Sequence, residues 1–283
     1  MELLQPGDWS EALEMRAAHP GALPLCGGTD VMVDLNFGRE RPDAILDLTR
    51  VSELAEWEER DGSLRVGAGI SYTRAIDELG DLLPGLAAAS RTVGSPQIRN
   101  RGTIGGNLGS SSPAGDALPP LYASGAEVEL ASRSGSRRVP IADFVTGPKE
   151  NLLGDDELIA AFRVAPARGP QQFAKVGTRN AMVIAVCSFA VALDPRARAV
   201  GACIGSAAPT PLRPAEAEQF ASEALDWEGD APADAGTLAR FGELVAAAAR
   251  PIDDVRGTGA YRRHALSVLA RRTLSWAWSE QCA

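Results

Sequence analysis

The sequence predicts an α/β chain, α+β in the looser sense, and three observations carry that prediction. Short apolar runs with strand character alternate with segments of helical spacing over residues 9 to 164. The stretch Ala165-Pro166-Ala167-Arg168-Gly169-Pro170 then breaks the pattern, as a linker does. Beyond it, two apolar strand segments precede alanine-rich helices, so a sheet packed by helices is expected there. The chain divides into an N-terminal domain over 1–168, with a small lobe at 1–50 and a larger one at 51–168, and a C-terminal domain over 171–283.

Each element has a local reason. Residues 9–18 place apolar side chains at helical spacing, and Leu23 to Cys26 is a short strand that ends in the tight turn Gly27-Gly28-Thr29-Asp30. Asp30 to Leu35 opens a helix, and Ala44 to Leu48 is an apolar strand. Glu53 to Asp61 is acidic and reads as a solvated face; Asp61-Gly62 is a hairpin turn, with Ser63 to Gly69 as the return strand. Helical spacing returns over 73–79 and 84–93, and a glycine-rich loop follows at 102–109. A helix over 118–125, a hairpin of 127–131 with 137–141, and an apolar strand over 157–164 complete the first domain. In the second, 183–193 and 199–205 are strands, 215–225 and 235–250 helices, and the last helix runs from about Gly259 to Trp278.

Composition sets the outer bounds. With 283 residues, 45% hydrophobic and 23% charged, the chain is long enough to bury two cores without staples. A net charge of −9 argues against nucleic acid and anionic membranes as partners, since both need a basic face. Cys26, Cys187, Cys203 and Cys282 form no CxxC pair, so no zinc site or iron–sulfur cluster of usual spacing is encoded. No apolar run is long enough to cross a bilayer and no leader is visible, which places the protein in the cytoplasm.

Two segments carry chemistry. Gly27-Gly28-Thr29-Asp30 and Gly102-Thr103-Ile104-Gly105-Gly106-Asn107 each let peptide N–H groups approach anionic oxygens, because no Cβ stands in the way. Either alone reads as a plain turn; the two together suit a long anionic ligand clamped from both sides. Asp116 is misplaced beside phosphate and suits a ribose or ribityl hydroxyl. Other features give way to plainer readings. Gly67-Ala68-Gly69-Ile70-Ser71-Tyr72 begins like a dinucleotide fingerprint, but Tyr72 stands at the third glycine. No GxxxxGK[ST] run exists, and His19 and His264 lie in unrelated contexts, so neither nucleotide hydrolysis nor a histidine triad has its residues.

The pieces Cys26-Gly27-Gly28-Thr29-Asp30, Ile98-Arg99-Asn100-Arg101-Gly102-Thr103-Ile104-Gly105-Gly106-Asn107, Ser112-Pro113-Ala114-Gly115-Asp116, Phe173 to Arg179, and Pro251 to Arg256 continuing to Arg263, resemble, in order and spacing, the FAD-binding medium subunit of the molybdenum hydroxylases. That family includes xanthine, carbon monoxide and aldehyde dehydrogenases. The likeness spans nearly the whole chain, and the IRNRGT lead into the second glycine block is its most specific part. It implies a two-lobed FAD domain of the PCMH type followed by a C-terminal domain like that of the carbon monoxide dehydrogenase flavoprotein.

It also implies roles. FAD diphosphate and adenosine would lie between Gly27, Gly28, Thr29 and Asp30 on one side and Gly102, Thr103, Ile104, Gly105, Gly106 and Asn107 on the other. Asp116 would take the ribityl or ribose hydroxyls, Ile159 or its neighbour Leu158 would pack near the isoalloxazine, and Lys175 would lie close to the ring system, where a cation favours the reduced flavin. Ser110-Ser111-Ser112, where carbon monoxide dehydrogenase-like members carry His-Ala-Asp, points to the xanthine dehydrogenase-like branch. Neither block carries a histidine for covalent attachment, so FAD would be dissociable. The resemblance further implies an oxidoreductase subunit without catalytic side chains or metal of its own. Electrons would come from the [2Fe–2S] clusters of a small subunit, with the molybdenum cofactor on a large one, in a heterotrimer whose dimerisation is left open. NAD, a quinone or oxygen would be the final acceptor. A stand-alone FAD oxidase of the vanillyl-alcohol-oxidase type and a non-redox nucleotide-binding protein are the alternatives.

Overall fold

The computed structural model describes all 283 residues. Residues 1–50 fold around a small parallel sheet. Its elements are β1 (Glu2–Leu4), α1 (Trp9–Ala18), β2 (Leu23–Leu25), α2 (Val31–Asn36) and β3 (Ala44–Asp47), in the strand order β1-β3-β2. Parallel neighbours require crossovers, which α1 and α2 supply. Asp8 caps α1 by accepting the Glu11 N–H at 2.9 Å. From the same helix Arg16, buried, donates to Ala22 O at 2.7 Å and to Glu157 O at 3.2 Å, which ties this lobe to the next.

The larger lobe is built on an antiparallel sheet. In chain order come β4 (Trp57–Arg60), β5 (Ser63–Gly67), α3 (Tyr72–Glu78), α4 (Pro84–Arg91), α5 (Pro96–Arg101), α6 (Ile104–Ser110), α7 (Leu118–Ala123), β6 (Glu127–Ser132), β7 (Gly135–Pro140), α8 (Ile141–Phe144), β8 (Val145–Gly147), β9 (Glu150–Asn151) and β10 (Leu158–Val164). Five of these strands form the order β4-β5-β10-β6-β7, while β8 and β9 pair separately. Asp61 at φ 53° and Gly62 at φ 72° give the β4–β5 hairpin the left-handed corner that a two-residue connection requires. Between Ile159 and Ala161 the pairing of β10 with β6 slips by one residue, a β-bulge facing α6.

The C-terminal part holds β11 (Gln171–Val176), β12 (Cys187–Asp194) and β13 (Ala199–Gly205), then α9 (Ala215–Ala224), α10 (Ala235–Ala248) and α11 (Gly259–Gln281). Alternation along β12 separates two cores. Cys187, Phe189, Val191 and Leu193 pack with Phe241, Leu266, Leu274 and Trp278 of the helices, whereas Ala190, with Phe173 and Cys203, joins the core of the first part. Gly201 and Gly205 sit on that second face because α7 lies directly on it: a Cβ on Gly205 would come within 2.8 Å of Pro119 Cγ.

The structure departs from the expected elements in several places, and adds β1, α8, β8 and β9, which the sequence reading did not assign. Residues 104–110 are not a loop but the helix α6, whose three glycines are held by its surroundings rather than by propensity. The preceding Pro96–Arg101 is also helical, with Ser95 as its cap, and Gln171–Val176 is a full strand. The strand expected from Val183 starts only at Cys187; Met182 stands at φ 50° in an irregular segment before it.

Candidate functional site

The turn after β2 is shaped by two glycines for different reasons. Gly28 adopts φ +74°, which L side chains rarely take. Gly27 has no room for a side chain: a Cβ there would overlap the carbonyl oxygen of Arg101 and lie 2.8 Å from Cα of Gly102. The end of α5 and the first glycine turn are therefore in backbone contact. None of the N–H groups of Gly27, Gly28, Thr29 and Asp30 donates to an acceptor in the chain, so four consecutive donors are unpaired. Cys26 precedes them, its thiol pushed up by burial and drawn partly back by a hydrogen bond with Thr103 and by the charge of Arg101.

The second glycine block is held differently. Ile104 N–H donates to Ile70 O, Gly105 N–H to Ala68 O at 2.9 Å, and Gly106 N–H to the Thr103 hydroxyl at 2.9 Å, which caps α6. Ala68 N–H in turn donates to Ala160 O in the bulge of β10. The bulge, the Gly67-Ala68-Gly69 turn and α6 thus form one continuous hydrogen-bonded stack. Gly105 is what lets it close, since a Cβ would come within 2.6 Å of Ala68 Cα. The fingerprint-like Gly67 and Gly69 serve the same packing, pressed against Leu54. Gly106 and Gly109, by contrast, are exposed one helical turn apart and leave that face of α6 bare. A Cβ on Gly106 would meet only the Thr103 hydroxyl, and one on Gly109 only Ile159 Cδ1 at 3.6 Å.

Side chains then join the two blocks. Ser110 at the end of α6 donates to Asp30 Oδ2 at 3.0 Å. Asn107 Oδ1 accepts from Ala117 N–H at 3.3 Å and lies against Gly115, so it anchors the segment that carries Asp116. Asp116 is buried, and its Oδ2 is 2.5 Å from Lys175 Nζ, which reaches across from β11. Its other oxygen, Oδ1, is buried with no partner. Burial pushes the carboxyl above the ordinary carboxylate range, against the pull of the Lys175 ammonium. Tyr72 lies behind α5 with its ring on Gly102, its hydroxyl raised by burial and by the Asp116 and Asp30 charges.

Of the residues singled out in the sequence, Gly27 lies against Gly102, Asp30 meets α6 through Ser110, Gly106 lies on the bare face of α6 and Ile159 beside Gly109, whereas Ile104 and Gly105 pack inward on Ile70 and Ala68; Asp116 is tied to the helix through Asn107. Lys175 meets this group only through Asp116. The sequence reading did not assign Tyr72, Ser110, Gly109 or Asn151 to the site; the last of these donates to Gly109 O and Ser111 Oγ, each at 3.0 Å. Gly109 was visible as the last glycine of the run and Tyr72 and Ser110 were noted for other reasons, but only the fold brings them and Asn151 to the two glycine blocks. A separate open cleft of about 420 Å³ lies on the C-terminal part, lined by Thr178, Arg179, Met182, Val183, Ile184 and Arg256. No cluster of His, Cys, Asp and Glu could hold a metal ion, and no helix is long and apolar enough to cross a membrane.

Comparison with known proteins agrees over the full length. Residues 1–167 match the FAD binding domain in molybdopterin dehydrogenase, and residues 172–277 the CO dehydrogenase flavoprotein C-terminal domain. The chain is 33% identical over 280 residues to the xanthine dehydrogenase FAD-binding subunit of Escherichia coli O157:H7, covering 94% of this chain and 92% of that one. It is 28% identical over 271 residues to the carbon monoxide dehydrogenase medium chain of Hydrogenophaga pseudoflava, covering 92% and 90%. In structure it superposes on carbon monoxide dehydrogenase from Hydrogenophaga pseudoflava lacking the Mo-pyranopterin moiety with a TM-score of 0.91, at 25% identity, covering 99% and 98% of the two chains.

Proposed function

This chain belongs to the FAD-binding subunits of the molybdenum hydroxylases, and from that premise we propose that it holds FAD between the Gly27–Asp30 turn and the bare face of α6. The observation that carries the reading is the run of four unpaired N–H donors at residues 27 to 30 beside the bare face of α6, with the buried, unpartnered Oδ1 of Asp116 on the segment that Asn107 of the same helix anchors. The donors suit the two phosphates, and Oδ1 suits a polyol hydroxyl, an acceptor for a donor. Thr103 to Asn107 serve mainly through shape, since Ile104, Gly105 and Gly106 have spent their N–H groups and only that of Thr103 is free. Gly102 allows the contact with Gly27, and Gly106, with Gly109, lets a flat or extended ligand lie against the helix. Ile159, aimed at α6 by the bulge, supplies an apolar wall.

FAD, when bound, supplies a ring that takes up and releases two electrons. The chain binds and orients it and keeps water from its polar edge; no side chain is needed as nucleophile or general acid. Within this reading, residues 1–168 are the FAD domain and 171–283 the domain that closes against it. Electrons come from the [2Fe–2S] clusters of a small partner subunit, the molybdenum cofactor resides on a large one, and NAD, a quinone or oxygen takes the electrons away. The complex is a cytoplasmic heterotrimer of the xanthine dehydrogenase-like kind. The full chain, expressed with added FAD and freed of excess, is expected to show the visible bands of oxidised flavin and to bleach with dithionite. A colourless protein, both alone and after co-purification with small and large partner subunits, overturns the reading.

A further inference from the structure

The two glycine blocks are joined at both ends of α6, and the joints differ in kind. At the start of the helix the joint is backbone on backbone, Gly27 against Gly102, with no side chain to swing aside. At its end the joint is made of side chains. Ser110 donates to Asp30 Oδ2 at 3.0 Å, and one helical turn further along α2 the Asp34 carboxylate, also paired with Arg39, meets Lys149 Nζ at 3.4 Å. Lys149 stands in the turn between β8 and β9 at φ 64°, and its N–H donates to Ser111 O at 3.1 Å, so that hairpin is fastened to the end of α6. The Lys149 side chain is 68% exposed, and Ser110 meets Asp30 in an exposed position too. Exposed pairs of this kind are weak and break readily. No residue of α2 is buried, and Met32, Val33 and Phe37 lie exposed on it. The rest of the lobe is tied down: Ala12, Ala22 and Leu46 belong to the core shared with the larger lobe, and the buried Arg16 donates to Glu157 O.

Resting on the FAD reading above, we propose that α2 and the turn before it form a latch over the FAD site, closed by Asp30–Ser110 and Asp34–Lys149, and that the latch opens whenever flavin enters or leaves. The back of the small lobe and the Gly27–Gly102 contact stay in place, while α2 lifts from the end of α6 and from the β8–β9 hairpin. Opening breaks two exposed links and uncovers no core, so it costs little. The latch governs how fast FAD exchanges and leaves its affinity nearly unchanged, because the same links close the site with and without ligand.

The test compares exchange rates on the full chain, reading FAD uptake by the FAD-free protein and FAD release on dilution from the change in flavin fluorescence. Lys149→Gln removes the exposed ion pair and disturbs nothing buried. Uptake and release are both expected to quicken about twofold to fivefold, the strength of an exposed pair, with Kd shifted by less than about twofold. Carbodiimide, which condenses a carboxylate and an amine into an amide, addresses Lys149 selectively, because the chain has one other lysine, Lys175, and that one is buried. A cross-link between Asp34 and Lys149, identified by mass spectrometry, locks the latch. Made in the FAD-free protein it is expected to slow uptake, and made in the loaded protein to slow release, each at least about tenfold. Wild-type rates in both the variant and the cross-linked protein, or no cross-link between Asp34 and Lys149, overturn the proposal. So does a Kd that rises in step with the release rate alone, which makes Lys149 a contact of the flavin and not part of a latch. Failure of the wild-type chain to take up FAD is a different result: it removes the underlying reading before any rate is compared.

Discussion

Gly27 and Gly102 touch through their backbones: a methyl group on the first would lie 2.8 Å from Cα of the second. The contact brings the β2–α2 turn against the end of α5 and so sets the opening of the site. Gly27→Ala must push the two apart, and is expected to destabilise the chain by about 1–3 kcal/mol, the usual cost of overpacking. Thermal unfolding of the FAD-free protein reads this directly; an unchanged midpoint contradicts the contact.

Gly106→Ala separates fold from ligand. The added methyl would come within 2.9 Å of the Thr103 hydroxyl that caps α6, a cost that offsets the roughly 1 kcal/mol alanine gains over glycine in a helix, so the FAD-free protein should melt close to wild type. FAD affinity should fall at least about tenfold, because the methyl occupies the bare face of α6. Unaltered FAD binding would remove that face from the site.

Thiol chemistry should follow burial. The Cys187 thiol is pushed up to about 12 and the Cys203 thiol well above its ordinary value, both by burial, so neither should react with iodoacetamide in the native protein at pH 8. Cys26, half-buried beside the first glycine turn, should react slowly, and more slowly again with FAD present. Mass spectrometry of the alkylated peptides checks each site, and labelling of Cys26 at the same rate with and without FAD contradicts its place at the ligand.

Acid should loosen the start of α11. Backbone N–H donation from Arg256, with the charge of Arg262, holds the Asp254 carboxyl down at about 2, below its ordinary value near 3.9. A depressed carboxyl adds stability above its unfolded value and loses it as pH falls toward the folded one. Asp254→Asn is therefore expected to lower the melting temperature at pH 6, with the difference from wild type shrinking between about pH 4 and 2. A constant difference across that range would mean that the ionised carboxylate is not what matters.

The hairpins and the apolar strands were legible because their signals are local. Asp61-Gly62 needs positive φ at both residues, and Leu158 to Val164 is apolar but for Arg163 and lies buried in mid-sheet. Family likeness also placed the two glycine blocks together. What sequence could not give was how each block is held. Three glycines in α6 argue locally for a loop; the helix exists because Thr103 caps it and Ala68 and Ile70 accept its first N–H groups, all fixed by tertiary packing. Lys175 shows the same limit. Family likeness marked it as a site residue, but its partners Asp116, Thr92 and Val183 lie 59, 83 and 8 residues away and could be found only in the folded chain.

The sheet β11-β12-β13 has no side turned to water: Phe189 and Ile204 point into one helical layer, Phe173, Ala190 and Cys203 into the other. A segment cut out at the linker would keep its own helices but expose a strip of Phe, Ala and Cys meant for α4 and α7. Proteolytic nicking at 165–170 should thus yield fragments that stay together on a sizing column, and the C-terminal piece made alone should precipitate rather than fold cleanly. The linker marks where the chain can be cut, not where the protein can be taken apart.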